Sequence, residues 1–157
     1  MLGKINVEKV LFLDIETVAQ HPEFSQLDTD FKAHWEKKAS FIGAADETPE
    51  DIYGRAGIYA EFGKIVCISV GFIKTENGTK TLRIKSYAND DEAILIKEFF
   101  ELLNNHYSHR EALLCAHNGK EFDFPYIVCH PPITWFCLSL LCVCWFSVIC
   151  RKKFKLW

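Results

Sequence analysis

The distribution of acidic residues divides this 157-residue chain at about Val128 and limits which part of it can fold as one domain. All 21 Asp and Glu residues precede Val128, with 14 of the 18 Lys and Arg residues, so that the first part carries a net charge of −7. The segment from Val128 to Trp157 carries +4 and holds five of the seven cysteines. We therefore interpret residues 1–127 as the folded domain and residues 128–157 as an anomalous apolar tail, rich in Cys and Trp.

The charge and cysteine content exclude some classes of protein. An acidic domain argues against a nucleic-acid-binding protein that works through a broad basic face. It remains compatible with an enzyme that holds phosphates through bound metal ions. Cys67 and Cys115 lie in apolar runs, which is typical of buried small side chains, and no CxxC pair indicates a zinc site. Because the N-terminus resembles no signal peptide, we expect a cytoplasmic, reduced protein.

The first half of the domain predicts a strand and then a long insertion. Residues 10–16 form a short apolar run that ends in acids, which indicates a buried strand. A polar insertion over residues 19–60 follows, and helical spacing of its apolar residues predicts a helix over 23–38. Thr48-Pro49, followed by two acids, has the pattern of a helix start, so that a second helix is expected up to about residue 62.

The second half predicts a mixed α/β sheet. Residues 65–72 and 81–87 have the composition of strands, and the Asn77-Gly78 pair between them is a strong hairpin signal. Residues 89–92 begin a predicted helix, and residues 112–116 form the next predicted strand. A hairpin that leads into a helix and a returning strand favours a mixed sheet with helices on its faces.

Two carboxylates share one face of the first predicted strand. Asp14 and Glu16 are two residues apart, so their side chains project to the same side. Adjacent carboxylates in an apolar strand repel unless a cation lies between them, and Mg²⁺ or Mn²⁺ prefers such oxygen ligands. An isolated Asp-x-Glu can equally be a solvated strand end, so this pair alone is weak evidence.

A second polar cluster, residues 117–126, follows the last predicted strand and begins another helix. It places Asp123 where strand ends collect ligands in α/β folds. A third carboxylate there could complete a site for two metal ions, which clamp the attacking and leaving oxygens of a phosphodiester. Asn118 could hydrogen-bond the backbone or a substrate, while Phe122 and Phe124 could stack on a base or pack in the core.

These residues carry a resemblance to a known superfamily. Leu13-Asp14-Ile15-Glu16-Thr17 resembles the first motif of the DEDD 3′→5′ exonucleases, whose fold is RNase H-like. Asn118 to Asp123 matches the second motif, which is Asn, three residues and Phe-Asp. The following Pro125-Tyr126 resembles the version found in family-B DNA polymerase proofreading domains. Residues 7–127 most resemble the stand-alone bacterial exonucleases related to that domain.

The resemblance implies a metal-dependent enzyme that hydrolyses nucleotides from DNA 3′ ends, with a water molecule as the nucleophile. It implies that Asp14, Glu16 and Asp123 are the catalytic residues and bind two Mg²⁺ or Mn²⁺ ions. The substrate-binding residues that it implies are Thr17, Asn118 and Phe122. The implied partner is nucleic acid, with a single-stranded DNA 3′ end favoured over other forms. Alternatives are a non-catalytic nuclease fold that binds nucleic acid or protein, and a tail-anchored membrane protein.

The third motif of the superfamily is missing. It contains a fourth Asp and, four residues earlier, a Tyr or His that positions the attacking water, but the chain has no acidic residue after Asp123. His130 is followed by two prolines and does not supply the pattern. We therefore expect an RNase H-like fold that is incomplete at its C-terminus and a chain with severely reduced hydrolysis.

The tail allows three interpretations. Residues 133–150 form an uncharged run of 18 residues, long enough to suggest a membrane span, with basic residues directly after it. The run could also be a buried core helix. The abrupt change in composition at about Val128 favours a third interpretation, a change of reading frame or another misread gene end.

Overall fold

The computed structural model describes residues 5–129 of the chain, and these form an α/β protein. The four strands of this part are β1 (Val10–Ala19), β2 (Gly63–Glu76), β3 (Thr79–Ala88) and β4 (Leu113–Cys115). Its α-helices are α1 (Thr29–Ile42), α2 (Glu92–His106) and α3 (Asp123–Cys129). Short 3-10 helices cover Val7–Lys9, Phe24–Gln26 and Tyr53–Ile58. The predictions for the tail beyond Cys129 lie outside the described residues.

The four strands form one mixed sheet in the order β3-β2-β1-β4, which confirms the predicted mixed α/β class. Strands β2 and β3 pair antiparallel across the turn at Asn77 and Gly78. Both turn residues have positive φ angles, 52° and 79°, as a tight hairpin of this hand requires. Strand β4 pairs parallel with β1, so that the two strands run in the same direction, and β4 ends at Cys115, opposite Phe12.

The chain divides into two compact units, and the described part of the first consists of residues 5–16 and 66–129. In this unit the alternating pattern of β1 buries Leu11, Leu13 and Ile15. Helix α2 is capped by Asp91, whose side chain accepts a hydrogen bond from the Ala93 amide, and the helix contacts β3. The buried residues of α2 are Leu95, Ile96, Phe99 and Leu103.

The second unit, Thr17–Ile65, contains the whole of the predicted polar insertion and has its own apolar cluster. Trp35 is fully buried at its centre, with ring centroids 5.3 Å from Tyr53 and 5.1 Å from Phe62. The indole N–H of Trp35 donates to the backbone carbonyl oxygen of Pro49 at 2.7 Å. Other buried members of the cluster are Leu27, Ala39, Ile52 and Ala56.

The two helices predicted in the insertion differ from the observed ones. The first is shorter and later than expected, because Asp28 accepts from the Phe31 amide and so starts α1 at Thr29. The prediction of a long second helix was wrong, since only a 3-10 helix forms there, at Tyr53–Ile58. The predicted start is present, with hydrogen bonds between Thr48 and Asp51, but two glycines within the 3-10 helix disfavour continuation.

Among the helices of residues 5–129, none is both long enough and apolar enough to cross a membrane.

Trp35 should dominate the stability of the second unit. We expect Trp35→Ala to lower the free energy of unfolding by about 3–5 kcal/mol, because it removes a buried aromatic side chain and a satisfied hydrogen bond. Phe41 is a matched control, since this aromatic residue of the same helix is 77% exposed. Phe41→Ala should change the free energy by no more than about 0.5 kcal/mol. Urea unfolding followed by far-UV circular dichroism measures both, and equal losses would contradict the assigned core.

Candidate active site

The exposed face of β1 carries two of the predicted site residues. Asp14 and Glu16 alternate with the buried residues Leu13 and Ile15, and both acidic side chains are exposed. This alternation follows from the two-residue period of a strand, which sends the apolar side chains to the core and the acids to solvent. The structure therefore places both carboxylates on one face of β1, as the sequence predicts.

The loop after β4 brings the second motif to the same edge of the sheet. Asn118 adopts a left-handed conformation, with φ at 57°, and its carbonyl oxygen accepts from the amides of Glu121 and Phe122 at 2.9 and 3.0 Å. Gly119 is buried directly after this turn, and a Cβ there would lie 2.6 Å from the Ala116 Cβ atom and 2.7 Å from the Phe124 ring. Only glycine allows this approach, so the loop can reverse and start α3 at Asp123.

Asp123 connects the two motifs. Its side chain is 1% exposed, and its Oδ1 atom accepts a hydrogen bond of 3.2 Å from the backbone N–H of Ile15 on β1. The pairing of β4 with β1 ends at Cys115 and Phe12. The Asp123 carboxylate therefore accepts from an amide of β1 that lies beyond the paired residues. The second oxygen, Oδ2, is buried and has no hydrogen-bond partner within the described residues. An unpartnered buried carboxylate oxygen is destabilising, which makes this atom the distinctive feature of the site.

The surroundings of Asp123 raise the pKa of its carboxyl group above the ordinary value. Burial is the largest cause, because it disfavours the charged form, and the negative charge of Asp14 adds to it. Hydrogen bonds from the backbone amides of Asp123 and Ile15 and the nearby His117 act in the opposite direction. Because the pKa is raised overall, the ionised form of Asp123 is disfavoured, and a cation nearby would stabilise it.

A hard divalent ion fits part of this arrangement. Such ions bind carboxylate oxygens, and the unpartnered Oδ2 of Asp123 within the electrostatic reach of Asp14 has the required chemistry. Across residues 5–129, however, no group of three or more His, Cys, Asp or Glu side chains is arranged to hold a metal ion. The fit therefore rests on the unpartnered oxygen of Asp123. The participation of Asp14 and Glu16 and the binding of two ions remain predictions.

The three predicted substrate-binding residues have different surroundings. The Thr17 hydroxyl donates a hydrogen bond to the carbonyl oxygen of Gly57 at 2.7 Å, so this hydroxyl already has an acceptor within the second unit. The Asn118 side chain is exposed after β4. Phe122 is half-buried, with its ring 5.4 Å from that of Tyr126 and tilted by 56°. Phe122 therefore packs against Tyr126 while it remains partly exposed to solvent.

Sequence reasoning missed two contributors to the site. His117 matches no catalytic position of the resemblance and is exposed, yet it lies close enough to Asp123 to lower the pKa of that carboxyl group. Its position at the start of the second cluster was the available signal. The backbone amide of Ile15 was also missed, and no sequence pattern could have shown that a main-chain donor meets Asp123.

In comparisons with known proteins, no family model matches this chain, and no curated protein or solved structure matches it either.

We expect Asp123→Asn to stabilise the protein at neutral pH in the presence of EDTA. The raised pKa of Asp123 means that its contribution to stability is complete below the ordinary aspartate pKa, about 3.9, and is lost as the pH rises through the raised value. The asparagine amide stays neutral and keeps an oxygen acceptor for the Ile15 N–H. The melting temperature of the variant should therefore exceed that of the unaltered protein at neutral pH, and the difference should shrink on acidification.

Thermal unfolding followed by circular dichroism over a pH series measures this difference. The unaltered protein and the variant share all other titrating groups, so the difference isolates Asp123. A gain independent of pH, or a loss that grows towards neutral pH, would show that the ionised carboxylate is adequately paired without a cation.

Proposed function

We propose that the chain carries the front part of a 3′→5′ exonuclease site, which hydrolyses nucleotides from DNA 3′ ends with Mg²⁺ or Mn²⁺. The observation that carries this proposal is the buried carboxylate of Asp123. One of its oxygens accepts from the amide of Ile15, the residue between Asp14 and Glu16, and the other has no hydrogen-bond partner within the described residues. Two separate motifs, 107 residues apart, thus supply carboxylates to one sheet edge. A buried carboxyl group with a raised pKa beside a second acid is typical of functional sites, and this supports the proposal.

The sheet topology supports an RNase H-like fold as the framework for this site. An antiparallel hairpin, β2–β3, is followed by α2 and then by β4, which returns parallel to β1. The first strand therefore occupies the middle of the sheet and bears the first motif. The second motif follows the strand next to it. This is the order in which the resemblance places the two motifs on that fold.

Each residue of the site would have its own role in the reaction. Asp14 and Asp123 would bind the divalent ion, and Glu16 would join them from the same face of β1. Such an ion, when bound, supplies a Lewis acid that polarises a phosphodiester. The exposed amide of Asn118 would orient the DNA strand, and the accessible part of Phe122 would contact a terminal base. Residues 124–157 contain no Asp or Glu, so we expect these 157 residues alone to hydrolyse DNA slowly.

Metal binding is the first test, because it does not require the missing motif. Titration of Mn²⁺ should raise the melting temperature of the unaltered protein, with a stabilisation of about 2.7 kcal/mol at a hundredfold excess over Kd. Asp14→Ala and Asp123→Asn should abolish this rise. Asp90→Ala is the matched control, since Asp90 is an exposed acid in the loop before α2, and it should respond as the unaltered protein does. An equal response in all four proteins would contradict the proposed ligands.

Exonuclease activity is the second test. We expect slow, Mn²⁺-dependent shortening of 5′-labelled single-stranded DNA from its 3′ end, lost in Asp14→Ala and kept in Asp90→Ala. Denaturing gel electrophoresis resolves the products one nucleotide at a time. Metal-dependent DNA binding without any shortening would favour the non-catalytic alternative. Shortening that persists in Asp14→Ala would show that another site, or another protein, performs the reaction.

A further inference from the structure

Strand β3 forms an outer edge of the sheet. It is the first strand in the order β3-β2-β1-β4, and no further strand lies beyond it in the part of the chain that the structure describes. Nine of its ten residues are exposed, Tyr87 being the exception. On such an edge, every second residue directs its backbone N–H and C=O groups outward, where another strand can pair with them.

One face of this edge is apolar. Leu82 and Ile84, two residues apart, are 60% and 69% exposed, which is unusual for two neighbouring large aliphatic side chains. They pair in register with Ile73 and Gly71 of β2. Since Gly71 has no side chain, Leu82 and Ile84 lie over it, within 4 Å of where a Cβ atom would be. The result is an exposed apolar pair in the middle of the edge.

The opposite face of the same edge is basic. Arg83 and Lys85 alternate with Leu82 and Ile84, and Lys74 of β2 lies across from Thr81 on that face. One carboxylate, Glu76, serves two of these cations, at 2.7 Å from Lys74 and 3.3 Å from Arg83. The ammonium group of Lys85 lies 4.1 Å from the centroid of the Tyr87 ring. Three cations against one carboxylate leave a surplus of positive charge.

We propose that the β3 edge binds an extended segment of a partner protein as an added strand, with apolar and acidic residues in alternation. Such a segment would place its apolar side chains beside Leu82 and Ile84 and its carboxylates beside Arg83 and Lys85. Main-chain hydrogen bonds give this mode of binding its affinity, and the alternating side chains give it specificity. This inference concerns a surface apart from the carboxylate site and does not depend on the proposed exonuclease function.

Charge complementarity selects this occupant over two others. A second copy of the chain, paired β3 to β3, would set Arg83 and Lys85 of both copies against one another, and like charges across strands are destabilising. Single-stranded DNA would match the basic face but leave Leu82 and Ile84 exposed on the other face. An acidic and apolar strand satisfies both faces and the backbone edge together.

The test uses the full chain and a fluorescent, acetylated and amidated peptide of about four Val-Glu repeats, close to the usual length of a strand. Fluorescence anisotropy should show saturable binding. A peptide of the same sequence, N-methylated at alternate residues on one edge, keeps every side chain but loses the outward donors needed for pairing. We expect it to bind at least roughly tenfold more weakly. Equal binding of the two peptides would overturn the proposal.

Variants of the edge separate the two faces. Lys85→Glu and Ile84→Thr should each weaken binding of the Val-Glu peptide by up to roughly fivefold, the range expected from cross-strand pairs. Lys37→Glu, an exposed site on α1 with the same change of charge, should leave binding unchanged. Lys85→Gln supplements Lys85→Glu if the reversed charge lowers the melting temperature.

Two outcomes overturn the proposal in favour of another occupant. Displacement of the peptide by single-stranded oligothymidylate at comparable concentration, with no difference between the two peptides, would identify a nucleic-acid surface. A dimer in sedimentation that dissociates in Lys85→Glu and Ile84→Thr would identify a contact between copies of this chain. Weakening by Lys37→Glu equal to that by Lys85→Glu would show only nonspecific attraction to a charged peptide.

Discussion

The parallel pairing of the three-residue strand β4 with β1 is the constraint on which the carboxylate end of the sheet depends. Because β4 ends at Cys115, opposite Phe12, the backbone of β1 beyond that point has no strand partner on this side within residues 5–129. The Asp123 carboxylate takes the next available donor, the N–H of Ile15. A longer β4 would have continued the ladder and left no place for this contact. The brevity of one strand thus creates the position where the two motifs meet.

Most of the fold could be predicted because its signals are local. The alternation in β1, the Asn77-Gly78 turn and the cap at Asp91 each depend on a few neighbouring residues, and the structure contains all of them. Strand β3 forms where predicted, but nine of its ten residues are exposed, so its sequence alternation does not produce a buried face. Even the relation between Asp14 and Glu16 follows from strand periodicity alone. The burial of Asp123 against a backbone amide could not be predicted. It depends on where a distant strand ends, a property of register and not of composition.

The second unit shows why a correct local signal can still mislead. Thr48 and Asp51 make the hydrogen bonds of a helix start, as predicted, but the chain does not continue as an α-helix. Gly57 packs against the backbone of Val18 and Ala19, at a distance that would leave a Cβ atom only 2.9 Å from Val18. The segment therefore follows the requirements of a close backbone contact and of the cluster around Trp35. Tertiary packing overrides a start signal when glycines weaken the intrinsic helix propensity.

The hydrogen bonding of buried polar side-chain atoms distinguishes the candidate site from the rest of the described protein. The indole N–H of buried Trp35 has a partner in Pro49, and the hydroxyl of buried Tyr53 donates to the carbonyl oxygen of His21. Only the Oδ2 atom of Asp123, among the buried side-chain polar atoms of residues 5–129, lacks one. An amide at this position would avoid the cost of a buried charge while still accepting from Ile15. The buried, unpartnered oxygen is therefore the feature of the described protein that motivates the proposed cation site, because a bound cation would lower the cost of a buried carboxylate.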